Sequence, residues 1–120
     1  MAIEKGAQLP DFAVTDHDGR HVAYADLWQR LGAVVVVVDD TVDRAAVDAL
    51  AAHGDEIRSH DAVLVITATP IAGMPRPGMV VADRWGEIQV VAAGFPRADD
   101  IVAWVEYVEQ RCPECEGEAR

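Results

Sequence analysis

Residues 34–38 are five consecutive valines, and residues 62–67 read Ala-Val-Leu-Val-Ile-Thr. Neither run alternates with polar residues and both are short, so each predicts a strand buried on both faces, the pattern of a parallel sheet. Between them Val42, Ala45, Ala46, Leu50 and Ala51 recur at helical spacing and are expected to face the core. Thr41 is placed to cap that helix, Asp43 in its first turn suits the dipole, and Gly54 offers a stop. Strand, helix and strand in this order predict a right-handed parallel crossover.

On either side of this unit the pattern changes to alternation. Residues 12–15 alternate, Asp16-His17-Asp18-Gly19 supplies a turn, and residues 21–24 follow, which together predict a β-hairpin. Residues 25–28 read as one helical turn. After the second buried strand comes a loop rich in proline and glycine, residues 68–78. A second hairpin is then expected from residues 79–82 and 87–91, turning at Asp83-Arg84-Trp85-Gly86, where glycine permits positive φ. Asp99 and Asp100 open a last helix with Ile101, Trp104, Val105 and Val108 at i, i+3, i+4 and i+7. Cys112 continues that apolar stripe and Pro113 ends it. Trp28, Trp85 and Trp104 are expected to pack in the core or against the hairpins.

Composition narrows the function classes. With 120 residues the chain is long enough for one core, and 51% hydrophobic content is that of a folded protein. A net charge of −11, with one lysine (Lys5) among the ten basic residues, argues against nucleic acid and anionic membrane surfaces as partners. The longest apolar run, residues 33–38, is far too short for a membrane span, and the first ten residues lack the apolar stretch of a secretory leader. A cytoplasmic location is the expectation. Two cysteines cannot make a disulfide framework. The chain divides into a domain over residues 1–110 and an acidic tail, residues 111–120, carrying Cys112-Pro113-Glu114-Cys115.

The order of elements, with three stretches of sequence, resembles the redoxin family: alkyl hydroperoxide reductases, thiol-specific antioxidants and related peroxiredoxin-like proteins. Leu9-Pro10-Asp11-Phe12 through Asp18-Gly19, followed by Val22 and Leu27, is similar to the family's opening. The valine run stands in the place of the central strand before the active-site loop. Pro77-Gly78 through Gly86-Glu87-Ile88 is similar to its cis-proline strand and the hairpin after it. The resemblance covers about residues 5–110. It implies an α/β thioredoxin-like fold: a central mixed sheet, an N-terminal β-hairpin extension and helices on both faces, with a cis peptide before Pro77.

One departure governs what else the resemblance implies. The family's loop cysteine sits at a helix N-terminus, where amide donors and the dipole favour a thiolate. Here the loop reads Asp39-Asp40-Thr41-Val42-Asp43 and has no cysteine. Thr41 matches the family's threonine only loosely, and the carboxylates repel thiolate and peroxide anion alike. Pro77 stands where peroxiredoxins carry an arginine, and Arg76 is one position off. Asp40, Thr41, Val42, Asp43, Arg76 and Pro77 are thus a vestigial active-site loop, in which Arg76 is expected to pair with Asp40. Three carboxylates there could also hold a divalent cation; the plainer reading is a helix cap with solvated acids.

Three readings stay open for Cys112 and Cys115. As catalytic residues they are a dithiol cycling to a disulfide with a protein redox partner. A helix C-terminus and the nearby Glu109, Glu114, Glu116 and Glu118 disfavour a thiolate, however. As metal ligands they are half of a zinc site, which needs four donors and so would draw on a second subunit or on histidines. The four histidines, His17, His21, His53 and His60, are scattered without ligand spacing. As structural residues, Cys112 packs as a small hydrophobe. Two functions follow: a redox-associated protein using Cys112/Cys115, with thiol-disulfide oxidoreductase or peroxiredoxin-like activity if it is an enzyme; or a non-catalytic binding or scaffold domain, as a monomer or a homodimer, with no cofactor or with zinc.

Overall fold

The valine run is the middle of the molecule. In the computed structural model, which describes residues 3–110, residues 34–37 of the run lie in β3 (Gly32–Val37), and every residue of that strand is buried. β3 pairs in parallel with β4 (Ala62–Thr67) and antiparallel with β5 (Gly78–Ala82), which pairs antiparallel with β6 (Ile88–Ala93). The four-stranded order β4-β3-β5-β6 is the expected central mixed sheet. β1 (Ala13–Thr15) and β2 (His21–Ala23) form the separate N-terminal hairpin.

Because side chains alternate across a strand, consecutive valines serve two different cores. Val35 and Val37 point to one face with Val65 and Val80, under Leu9, Phe12, Val14 and Tyr24 from the hairpin segment. Val34 and Val36 point to the other with Ile66 and Val81, under Val47, Leu50, Ile57, Ile101 and Val105. Those last five belong to α1 (Arg44–Ala51), α2 (Gly54–Arg58) and α3 (Ala98–Gln110). Helical elements are therefore shared unevenly among the described residues. All three α-helices stand on the second face, and the first has the 3-10 turn Tyr24–Asp26 beside the hairpin.

The crossover between β3 and β4 departs from expectation in three ways. Its first helix is capped by Asp43, whose carboxylate accepts from the Ala46 amide at 2.8 Å, and not by Thr41. Asp39 has taken Thr41 first: the Thr41 amide and hydroxyl both donate to its Oδ1, which closes a turn and delays the helix. Ala45 is consequently exposed and Val47 takes the core position. Gly54 starts α2 and does not stop α1. Of the two places expected for the tryptophans, Trp28 and Trp85 take the hairpin and not the core: they are 45% and 39% exposed, with the Trp28 indole N–H donating to the Trp85 carbonyl at 3.1 Å. Trp104 lies half-buried, edge-on to Tyr107.

Tyr24 stacks on Phe12 at 5.3 Å, and its buried hydroxyl has no hydrogen-bond partner among the described residues. Burial first, and the charge of Asp83 second, push its phenol up to about 12. A phenol harder to ionise when folded lends stability below pH 10.0, and that stability drains away as pH climbs towards about 12. An ultraviolet titration of the folded protein is expected to show a tyrosinate component near pH 12 that is missing in Tyr24→Phe. A wild-type curve complete well before that pH would contradict the burial.

Candidate functional site

β3 delivers the loop 39–43 at its C-terminal end, where open α/β sheets bind ligands. β5 delivers the other half. Its first residue, Gly78, pairs with Val37, so the cis peptide Arg76–Pro77, present as expected, abuts the start of that loop. There is no room for a side chain at Gly78: a Cβ would lie 2.5 Å from the Pro75 carbonyl oxygen. The turn 75–77 therefore folds back tightly on Gly78, and the pairing of Gly78 with Val37 sets that turn beside the β3 end.

Most polar groups of the vestigial loop are occupied with local structure. The Asp39 carboxyl is held below its ordinary range, foremost by the Thr41 hydroxyl and amide, with help from the nearby Arg76 charge. Asp43 is spent on the α1 cap. Val42 is half-buried against the helical core, and Asp40 is exposed. Arg76 does not pair with Asp40 as expected. Its Nε donates to the Val38 carbonyl at 3.2 Å and its Nη2 to the Ala68 carbonyl at 3.1 Å, bridging the ends of β3 and β4. A guanidinium reaches those carbonyls because they end the strands it flanks, whereas Asp40 points to solvent. Nor do the carboxylates gather around a cation: among the described residues no three His, Cys, Asp or Glu side chains come together as a metal group. Cys112 and Cys115 lie outside the described residues.

Beside this loop is a cleft of about 560 Å³ that the sequence pattern did not reveal. Its floor is Val38, Val47 and Ile66; His17, Arg44 and Thr69 stand at its polar side. The Arg44 guanidinium ties the wall together, donating to the His17 carbonyl at 3.2 Å and pairing with Asp48 at 2.9 Å. Thr67, fully buried at the end of an apolar strand, donates to the Thr15 carbonyl at 2.6 Å and accepts from the Thr69 amide at 3.0 Å. The Nδ1 of His17 is buried without a partner among the described residues. These residues come from four segments up to 54 positions apart, so no local spacing marks them.

At the opposite end of the sheet is the C-terminal end of α3. α3 starts five residues after Ala93, which pairs with Gly78 at the loop end, and finishes beside His60, two residues before the β4 end marked by Ala62 and Gly32. Its 13 residues span about 20 Å, the length of the strands. Gln110 is therefore a full sheet length from the loop 39–43. Among the described residues no helix is long and apolar enough to cross a membrane.

No family model matches the sequence. Solved structures match throughout the fold. The mitochondrial 2-Cys peroxiredoxin of Plasmodium falciparum superposes with a TM-score of 0.69 at 6% identity, covering 88% of this chain and 94% of that one. AhpC of Mycobacterium tuberculosis gives 0.67 at 12% identity over 95% and 98% of the two chains. A thioredoxin-family thiol:disulfide interchange protein of Chlorobium tepidum TLS gives 0.65 at 14% identity over 90% and 99%. The chain has the thioredoxin-like fold of peroxiredoxins and their relatives, as the sequence resemblance implied. A curated relative, the beta-ketoacyl-[acyl-carrier-protein] synthase III of Laribacter hongkongensis (strain HLHK9), is 32% identical over 107 residues, a match covering 75% of this chain. The chain spans 34% of that protein's length, about a third, so what that protein does is not carried over to it.

Proposed function

We propose that this protein is a binding or scaffold domain on a thioredoxin fold, without thiol chemistry at the loop after β3. The observation that supports this best is the separation of the parts. The loop at the β3 end holds Asp39, Asp40 and Asp43 and no thiol, while α3 runs the length of the sheet away from it before Cys112 and Cys115 follow. Gln110, the last described residue, lies at the far end of a helix about 20 Å long that leads away from the loop 39–43. The cleft beside Arg44 and His17 is the place where such a domain would take a ligand. In this reading Cys112 and Cys115 are structural or hold zinc; two thiols are half the donors a structural zinc needs, so the rest come from a second chain.

A second reading is favoured by the cysteine spacing and by the names of the fold's neighbours, a peroxiredoxin and a thiol:disulfide interchange protein. Here Cys112 and Cys115 cycle between dithiol and disulfide with a protein redox partner, independently of the loop. One experiment separates the two. Metal content and free thiols are measured on the purified full chain before and after mild oxidation. The first reading expects unchanged thiol counts, or about one zinc per two chains with unreactive thiols. Reversible loss of both thiols without metal overturns it in favour of the second.

A further inference from the structure

α3 is held unevenly along its length. Its first half is anchored by packing, with Ile101 and Val105 buried in the helical core. Beyond Val105 the side chains of Glu106, Tyr107, Glu109 and Gln110 are exposed and Val108 is half-buried. A helix end with so little apolar contact opens at low cost. It is also electrostatically ill-placed: Glu106 and Glu109 add negative charge where the dipole is already negative, and the last turn has no basic residue. The compensating cation comes from another element. His60 Nδ1 lies 3.1 Å from Glu109 Oε1, and its Nε2 lies 3.8 Å from Glu106 Oε1.

We propose that His60 is a proton-operated clasp for the C-terminal end of α3, closing on Glu106 and Glu109 when its imidazole is charged and releasing them when it is neutral. A neutral imidazole can still donate one hydrogen bond to Glu109, but only the imidazolium carries the positive charge that offsets the local negative charge of Glu106 and Glu109. The charged groups facing it are Glu106 and Glu109 of α3 and Glu56 of α2, the last also in contact with His53 at 3.2 Å. All three favour the protonated ring, and the hydrogen bond with Glu109 raises its pKa above 6.5 ahead of the other causes, against a smaller opposing effect of desolvation. The sign follows. The clasp is fully present below the ordinary histidine pKa of about 6.5 and is lost as pH rises through the higher folded value. The clasp governs how firmly residues 107–110 are held, just before the segment carrying Cys112 and Cys115 in the sequence. That holds whether the cysteines bind metal, cycle or are structural.

The test is amide hydrogen exchange of the full chain at about pH 5.5 and about pH 8, compared as protection factors to remove the intrinsic pH dependence of exchange. Protection of residues 107–110 is expected to fall about two- to fivefold at the higher pH, with residues 101–105 unchanged. Glu109→Gln and His60→Gln are each expected to flatten that dependence, and His53→Gln to preserve it. Should His60→Gln fail to fold, the His60 imidazole titration followed by nuclear magnetic resonance in Glu109→Gln reads the same contact, with its pKa falling towards 6.5. Equal protection at both pH values in the wild type, or an undiminished pH response in both clasp variants, overturns the proposal.

Discussion

Replacing Ile101 with alanine is expected to cost the fold about 2–5 kcal/mol, the range for truncating a fully buried aliphatic side chain. Ile101 has no exposed surface and sits where α3 first meets the sheet, in the cluster with Val34, Val36, Met79 and Val81. Those four residues lie on two paired strands, β3 and β5, which cannot collapse inward without breaking their pairing, so the cavity left behind is poorly filled. In a domain of this size each kcal/mol lowers Tm by about 4 °C, so a fall of roughly 8–20 °C is expected. Ile101→Val removes one methyl and should cost about 0.5–1.5 kcal/mol. Chemical denaturation of both variants gives the comparison; a loss under about 1 kcal/mol for the alanine variant would mean that α3 is not seated on this face.

The second large effect is expected at Gly78, from added bulk and not from lost bulk. An alanine Cβ there would stand 2.5 Å from both Cγ and the carbonyl oxygen of Pro75, and 3.0 Å from the Pro75 carbonyl carbon. Two of those three atoms are backbone, which cannot swing aside as a side chain can. Gly78 is also fixed from two directions, paired with Val37 on one side and Ala93 on the other. The turn 75–77 must therefore move, and it carries Arg76 off the Val38 and Ala68 carbonyls that it joins. Overpacking of this kind costs about 1–3 kcal/mol. Thermal melting gives the cost, and the Arg76 Nε–H resonance reports whether its hydrogen bond survives. An alanine variant with wild-type Tm and an unmoved Arg76 signal would show that the close approach is not maintained in solution.

Both sites also mark how far local sequence could be read. The two strands buried on both faces were legible because residues 34–38 and 62–67 have no polar side to expose. The last helix was legible from Ile101, Trp104, Val105 and Val108, and the second hairpin from Asp83 and Gly86. Errors fell where two residues of similar capping chemistry competed. Thr41 and Asp43 both cap helices well, and only the prior engagement of Thr41 by Asp39 decides for Asp43. Trp28 and Trp85 illustrate a different limit: an aromatic residue in a turn carries no local mark of whether anything will cover it.

The candidate site divides in the same way. That the loop 39–43 lacks a thiol, and that the chain's two cysteines stand near its end, are properties of composition and order that no folding alters. The sequence by itself also determined the fold class, because hydrophobic periodicity sets which segments can be strands or helices and in what succession. Only the tertiary structure decided which side chains meet. Arg76 on the Val38 carbonyl, Thr67 on the Thr15 carbonyl and His60 on Glu109 join residues 38, 52 and 49 positions apart. Such encounters depend on strand order, register and the length of α3 against the sheet, and those are settled by the packing of two whole faces and not by any window of the chain.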